Sequence, residues 1–323
     1  TFTVTFTPSA TGARSGVINI ASNDADENPF RINVGGTGAV PAVVFTNFMD
    51  ATTVVGQADF TTAVSTVNQT TTLTPAACAV SVTGKLAVAD GFSPRVLIWN
   101  SIPTTNGTPA DVVIGQTDFT SNSSGLSASK LSRSFGVTFS PDGAKLLVSD
   151  FDNQRVLIWN SVPTTNGAPA DVVIGQVDFT SNSAGVSATK MSGPMGLQVS
   201  PAGKLFVTER NNHRVLVYNS IPTANGAAAD LVIGQPNMTT GTSGNTANKL
   251  ALPWQTALAP DGRLLISEEA NHRVVIFNTV PTTNGASANV VIGQTGFGLS
   301  GAGTTATQLN LPLGGLSVSP TGQ

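Results

Sequence analysis

The chain has 323 residues, a formal net charge of −3 and only 10% charged residues. This balance excludes a basic nucleic-acid-binding surface and an acidic tail, and no apolar run reaches the length of a membrane span. The single cysteine excludes an internal disulfide and any cysteine-based zinc site.

The first 38 residues predict strands separated by an acidic turn. The strands are expected at residues 2–8, 16–20 and 30–38. The turn at residues 24–28 lacks the glycine and the final glutamate of an EF-hand, so we predict no calcium site there. These segments resemble the last strands of a Hydin-like (choice-of-anchor D) immunoglobulin-type domain. The resemblance implies a partial immunoglobulin-like domain at residues 1–38, with a linker at residues 37–41 and a second domain at residues 39–323.

A short apolar strand followed by Gly-Gln recurs five times along the rest of the chain, with its glycines 59 or 60 residues apart. A fixed period of this size indicates a repeat architecture in which each period is one structural unit. The five glycines are Gly56, Gly115, Gly175, Gly234 and Gly293.

One period, residues 135–176, predicts four β-strands joined by three hairpins. The strands are expected at residues 136–140, 145–149, 155–160 and 171–175, with a tight turn at Pro141-Asp142-Gly143. Helical periodicity is absent, and the third strand is continuously apolar, which indicates a sheet buried on both faces. Tandem four-stranded antiparallel sheets covered on both sides predict an all-β fold, a β-propeller.

The two ends of the repeat region predict partial blades. Residues 43–45 and 53–56 are typical of the outer two strands of a further blade, and residues 314–318 of an innermost strand. Because both chain ends interrupt a predicted element, we expect them to continue in a longer parent protein. Unpaired strand edges at residues 43–46 and 316–319 are expected to favour association with other chains.

The period carries a family resemblance. Residues 136–159 resemble the NHL repeat, which pairs a Pro/Asp-Gly turn with an (Ala/Ser)-Asp-x-x-Asn-x-Arg-(Val/Ile) hairpin. Equivalent segments lie at residues 84–99, 196–218 and 256–277, and the letters Asn-His-Arg stand at residues 212–214 and 271–273. The segments from Pro-Thr-Thr-Asn-Gly to Val-Ile-Gly-Gln look like the extended variant of large secreted bacterial NHL proteins. The resemblance implies four complete blades here and six in the parent protein.

An acidic residue ends each predicted second strand, and an arginine follows five residues later. A short hairpin places these positions opposite each other, so the favoured interpretation is a structural pair that supports each blade. The alternative is a ring of carboxylates at the channel mouth that could hold a divalent cation. The pairs are Asp90 with Arg95, Asp150 with Arg155, Glu209 with Arg214, and Glu268 with Arg273.

The two histidines, His213 and His272, are weaker metal candidates. They share one repeat position, which Gln154 and Pro94 occupy in the other blades. Because zinc sites normally need three or four protein ligands, a structural or exposed histidine is the favoured interpretation. Cys78, in Ala-Ala-Cys-Ala-Val before a strand, is expected to be a small buried hydrophobe rather than a nucleophile.

The connections between blades differ more than the Pro-Thr-Thr-Asn-Gly hairpins, and they are long. Recognition of a specific ligand needs such differences, so binding is expected on the face that carries the inter-blade loops and the acid–arginine hairpins. Three lysines recur before the next blade and are expected at the rim of a face: Lys130, Lys190 and Lys249.

No nucleophile and base can be paired from the sequence. The preferred function is therefore a non-catalytic binding or surface scaffold for a protein or glycan ligand, with no cofactor and no nucleic-acid partner. The resemblance also implies an alternative, a metal-dependent enzyme of the lyase or lactonase kind with its site in the central channel. The low charge and the Ser/Thr/Asn-rich composition, together with an immunoglobulin-like module beside a propeller, favour an extracellular or cell-envelope-attached bacterial protein.

Overall fold

The computed structural model describes residues 12–20, 30–38 and 49–319. The chain divides into two compact units, residues 1–52 and 53–323. In the first unit, strands β1 (Gly12–Ile20) and β2 (Phe30–Gly38) pair antiparallel, with Ile18 opposite Ile32. The acidic turn at residues 24–28, the domain boundary after residue 38 and the strand predicted at residues 43–45 involve residues outside the described ranges.

The described residues of the second unit form four antiparallel sheets of four strands each, in sequential order. It is a four-blade β-propeller, which confirms the predicted all-β fold, and the described residues contain no helix. No helical segment of the described chain could therefore cross a membrane. Blade 1 consists of β3 (Pro75–Val80), β4 (Leu86–Asp90), β5 (Arg95–Trp99) and β6 (Val112–Ile114); blade 2 of β7 (Val137–Phe139), β8 (Leu146–Asp150), β9 (Arg155–Trp159) and β10 (Val172–Ile174); blade 3 of β11 (Pro194–Val199), β12 (Leu205–Glu209), β13 (Arg214–Tyr218) and β14 (Leu231–Ile233); blade 4 of β15 (Pro253–Leu258), β16 (Leu264–Glu268), β17 (Arg273–Phe277) and β18 (Val290–Ile292).

In blades 2 and 3 the continuously apolar third strands are buried because each of these blades lies between two others. All five residues of β9 are buried. Leu157 and Trp159 belong to an apolar cluster shared with blade 1, whereas Val156 and Ile158 belong to one shared with blade 3. Alternate side chains of one strand thus fill two different inter-blade cores. Complete burial of each such side chain contributes about 1.5–3 kcal/mol.

The first strands of successive blades, β3, β7, β11 and β15, pack against one another. They are therefore the innermost strands. The innermost strands of neighbouring blades approach each other closely, because a Cβ on Gly136 would lie 2.2 Å from the carbonyl oxygen of Met195. The repeated Gly-Gln motif needs its glycine for a different reason. Gly115 has φ +84°, and a Cβ there would lie 2.7 Å from the carbonyl oxygen of Pro94.

The outward faces of the first and last blades differ from the inner ones. Ile292 on β18 is 49% exposed, whereas its equivalent Ile174 is fully buried. Cys78 on β3 is also exposed, so the prediction of a buried cysteine was wrong. The reason is that no blade among the described residues covers that face of β3, whereas the equivalent β11 is almost entirely buried.

The predicted partial strands at residues 53–56 and 314–318 form no sheet pairing within the described residues. The first of them nevertheless makes the bonds of an outer strand. The Val54 amide donates to Asn106 Oδ1 over 2.9 Å, as the Val113 amide donates to Asn166 Oδ1 over 3.0 Å one blade later. The asparagine of each Pro-Thr-(Thr/Ala)-Asn-Gly hairpin therefore links its own blade to the preceding outer strand.

Candidate functional site

The acid–arginine pairs predicted from the sequence meet across the hairpin between the second and third strands of each blade. In blade 2, Arg155 Nε donates to Asp150 Oδ2 over 2.8 Å, and in blade 1 Arg95 Nη2 donates to Asp90 Oδ2 over 3.0 Å. Arg273 Nε donates to Glu268 Oε1 over 2.7 Å, and Arg214 Nε donates to Glu209 Oε2. All eight side chains are fully buried.

The remaining atoms of each pair bond to the loops around it. Asp150 Oδ1 accepts from the Ser132 amide, and its Oδ2 also accepts from Asn153 Nδ2, both over 2.8 Å. Arg155 Nη2 donates to the carbonyls of Ser127 and Lys130, each over 2.9 Å. We call these acid, asparagine and arginine positions the hairpin network. In the last three blades it ties the second hairpin to the loop that enters the blade.

Burial raises the pKa of the Asp150, Glu209 and Glu268 carboxyls, and the paired arginine opposes the rise in each case. Their oxygens accept bonds from N–H groups, which a bound cation would have to replace. Within the described residues, no three His, Cys, Asp or Glu side chains come close enough together to hold a metal ion. The structural role of the pairs stays a prediction.

Both histidines use Nδ1 to bind the chain that follows their own blade, which is blade 4 for His213 and the segment after blade 4 for His272. His213 Nδ1 accepts from the Leu252 amide over 3.1 Å, and His272 Nδ1 accepts from the Leu311 amide over 3.0 Å. Gln154 has the same role, because its Oε1 accepts from the Gly193 amide over 2.7 Å. Burial lowers the pKa of His213, and the positive charge of Arg210 lowers it further. This repeat position acts as an inter-blade clasp.

A cleft lies beside the hairpin network, at the end of the blades where the first strands begin and the second strands end. Its volume is about 250 Å³. It extends over residues of blades 2, 3 and 4 and of the segment that follows blade 4. The residues that line the cleft are Arg133, Phe135, Phe151, Met195, Arg210, Trp254, Glu269 and Leu313.

Seven of the eight cleft residues come from two repeat positions that differ between blades. The strand-start position lies at or just before the beginning of each innermost strand, with its last copy in the segment after blade 4. The post-acid position follows the acidic residue of the hairpin network. The strand-start residues are Ala76, Phe135, Met195, Trp254 and Leu313, and the post-acid residues are Gly91, Phe151, Arg210 and Glu269. These residues belong to no recognised motif and were not predicted. In the sequence they stand out only as positions at which the aligned repeats differ.

One side of the cleft is an aromatic group around a single arginine. Phe135 lies edge-on to Phe92 and to Phe151, with ring centroids 5.8 and 5.3 Å apart. The Arg133 guanidinium lies over all three rings, 5.0 Å from the Phe151 centroid. Its Nε donates to Asp152 Oδ2 over 2.7 Å. This hydrogen bond lowers the pKa of Asp152 and raises that of Arg133, so both are charged at neutral pH.

The other side of the cleft joins blades 3 and 4. Arg210 donates to Glu269 Oε2 from Nε over 2.9 Å and from Nη2 over 2.7 Å. The same guanidinium lies 6.0 Å from the Trp254 ring centroid. The cleft therefore combines apolar and aromatic surfaces with two arginine–carboxylate pairs, an arrangement suited to binding a small ligand.

No protein-family model matches the chain, and no curated protein matches it. Among solved structures, a putative 6-phosphogluconolactonase from Bacteroides uniformis is similar at 16% identity and a TM-score of 0.47, over 77% of this chain and 61% of that one. A streptogramin B lyase is similar at 13% identity and a TM-score of 0.39, over 72% and 57%. Hydrazine synthase of Kuenenia stuttgartiensis is similar at 13% identity and a TM-score of 0.39, over 68% and 49%. The chain thus spans about half to three fifths of the length of these proteins.

Proposed function

We propose that this chain is a non-catalytic binding scaffold that holds its ligand in the cleft. One observation carries the proposal: positions that differ between the repeats line the cleft, whereas the acid–arginine positions, alike in every blade, are buried in the hairpin network. The post-acid position changes from Phe151 to the charged Arg210 and Glu269. Because the packing of near-identical units does not need such a change from apolar to charged residues, we assign it to a role outside the fold.

Hydrogen bonds within the inter-blade loops support a ligand site on the propeller face that carries these loops. Gln116 Nε2 donates to the carbonyls of Pro94 and Ser123, and Lys130 Nζ donates to Gln116 Oε1 over 3.2 Å. Lys190 and Lys249 make the equivalent bonds, so the three lysines are engaged within the loops. The loops share one hydrogen-bonded frame, and a rigid frame positions the variable cleft residues for binding.

We extend the proposal to the family and the location of the protein. The Asn-His-Arg letters at residues 212–214 and 271–273, and the turn and hairpin motifs around them, support an NHL-type propeller with six blades in the parent protein. Strands β1 and β2 suit the end of an immunoglobulin-like domain at residues 1–38. The low charge and polar composition support an extracellular or envelope-attached bacterial protein, with a protein or glycan as partner.

The alternative is a metal-dependent lyase- or lactonase-like enzyme, for which the described residues provide no set of metal ligands. The cleft also contains no paired nucleophile and base. The binding proposal rests instead on the variable residues that line the cleft.

Tryptophan fluorescence tests the proposal directly. Trp99 and Trp159 are buried, with 1% and 2% exposure, so quenching by acrylamide reports mainly on Trp254 in the cleft. The probes are a four-class panel: neutral methyl hexosides, anionic hexuronates, cationic alkylammonium salts and uncharged N-acetyl amino-acid amides. We expect at least one class to protect Trp254 from quenching. Failure of all four classes to protect it would contradict a ligand site in the cleft.

A further inference from the structure

We propose that the cleft accepts one neutral sugar ring, so that the ligand is an uncharged glycan. This inference rests on the proposed function of the cleft as a ligand site. It is drawn from four properties of the cleft: its charge, its apolar surfaces, the polar atoms that its ion pairs leave unused, and its size.

The charges of the cleft cancel locally. Arg133 is paired with Asp152, and Arg210 is paired with Glu269. Two guanidinium groups and one carboxylate, that of Glu269, line the cleft, and Asp152 pairs with Arg133 from beside it. An anionic ligand would have to compete with these carboxylates for the guanidinium groups, and a cationic ligand would meet two guanidinium groups. Displacing either pair would also leave a charge without its partner. A neutral ligand avoids both costs.

The apolar surfaces of the cleft suit the face of a pyranose ring. Phe135, Phe151 and Trp254 supply aromatic surface, and Met195 and Leu313 supply aliphatic surface. Aromatic faces carry a negative quadrupole and attract slightly positive groups. The axial C–H bonds of a pyranose form such a surface on one side of the ring.

The ion pairs leave hydrogen-bonding atoms of both kinds unused. Within the described residues, Arg133 Nη1 and Arg210 Nη1 donate to no protein group, and Glu269 Oε1 accepts from none. A hydroxyl group both donates and accepts, so hydroxyls on the edge of a sugar ring can satisfy two guanidinium donors and one carboxylate acceptor.

The size of the cleft limits the ligand to one ring. Its volume of about 250 Å³ is below the roughly 300–1,000 Å³ of pockets that enclose drug-sized molecules. One ring inside the cleft, with the rest of a glycan outside, fits this volume. Because few atoms make contact, we expect a single methyl hexoside to bind with a Kd on the order of millimolar.

Saturation-transfer NMR with methyl α- and β-glucosides, galactosides and mannosides tests the inference, with sodium hexuronates and N-acetyl amino-acid amides as comparison probes. We expect signal from at least one neutral hexoside and at least a tenfold weaker signal from its hexuronate. Trp254→Ala should abolish the hexoside signal. The control Phe60→Ala changes an exposed aromatic residue outside the cleft and should leave that signal unchanged.

The outcomes separate this inference from the proposed function. If hexuronates or amino-acid amides bind through Trp254 and neutral hexosides do not, the sugar inference is overturned and the cleft remains a ligand site. If hexosides bind equally well to Trp254→Ala, the sugar site lies elsewhere and the inference is also overturned. If no probe of any class binds, both the inference and the proposed function fail.

Discussion

Two aspartates of one hairpin, Asp150 and Asp152, show how the molecule divides its roles. Asp150 is fully buried in the hairpin network, and every blade has an acidic residue at its position. Asp152 is 37% exposed beside the cleft and pairs with Arg133, and Phe92, Asn211 and Ala270 replace it in the other blades. The buried position is tied to the same loop atoms in each repeat and therefore stays acidic. The exposed position has no such restriction, so it can differ between blades and contribute to recognition.

The first prediction compares the loss of stability when each of these two aspartates is replaced by alanine. Asp150→Ala leaves the Arg155 guanidinium buried without its carboxylate, which should lower the free energy of unfolding by about 3–5 kcal/mol. Asp152→Ala removes a solvent-exposed pair and should cost at most about 1 kcal/mol. Urea denaturation of both variants measures the difference. Equal losses would contradict the division between network and cleft.

The second prediction concerns a glycine that borders the cleft but is constrained by packing. Gly136→Ala would place its Cβ 2.2 Å from the Met195 carbonyl oxygen, between two innermost strands. We expect the free energy of unfolding to fall by about 1–3 kcal/mol. Gly296→Ala is the matched control, since a Cβ there meets nothing within 4 Å. If both variants unfold at the same urea concentration, the innermost strands do not pack as closely as described.

The third prediction concerns the inter-blade clasp. The neutral His213 side chain accepts from Leu252, and burial and Arg210 lower its pKa in the folded protein. Below about pH 6.5, and down to the pKa of His213 in the folded protein, the unfolded chain binds more protons at this residue than the folded chain does. The free energy of unfolding therefore falls as the pH is lowered through this range.

His213→Gln keeps the acceptor that Gln154 supplies in blade 2 and removes the titration. The variant should match the parent at pH 8 and lose less stability between pH 7 and pH 5. The difference should be below about 1 kcal/mol, because the half-exposed ring is screened by solvent. Melting temperatures across this pH range measure it, and parallel curves would contradict the clasp.

The fourth prediction concerns a variable position outside the cleft. Tyr218 is buried, and its hydroxyl has no hydrogen-bond partner within the described residues. Trp159 at the equivalent position donates from Nε1 to the Ala168 carbonyl over 3.0 Å, and Phe277 takes the position in blade 4. Tyr218→Phe should therefore leave stability unchanged or raise it by up to about 1 kcal/mol. A clear loss in urea denaturation would reveal a role for the hydroxyl.

The fifth prediction is the absence of an effect. If the acidic residues of the hairpin network serve the fold through their arginines, a chelator will leave the melting temperature unchanged. A fall of several degrees on chelation, reversed by one added divalent cation, would instead identify the carboxylates as a metal site.

Much of the fold could be predicted from the sequence. The 59- or 60-residue period and the continuously apolar third strands indicated the blades, and the five-residue spacing placed Asp150 opposite Arg155. These features are local, so one repeat is enough to interpret them.

The cleft could not be predicted in the same way. Phe135, Arg210 and Glu269 come together only when three blades are placed around their innermost strands. The prediction that Cys78 is buried was wrong for a related reason. Its segment suits a buried strand, but burial depends on a neighbouring blade, which the local sequence does not reveal.

The indole N–H signals of the three tryptophans can show whether ligands bind on the face with the cleft. Trp254 lies in the cleft, whereas Trp99 and Trp159 donate to the Thr108 and Ala168 carbonyls in the third hairpins at the opposite end of the blades. The measurement is a series of ¹⁵N–¹H spectra recorded with each class of the four-class panel, with the Trp254 signal assigned from the Trp254→Phe variant. We expect probes that bind to shift the Trp254 signal and to leave the signals of the other two tryptophans unchanged. Shifts confined to Trp99 and Trp159 would place the ligand on the opposite face and contradict the account.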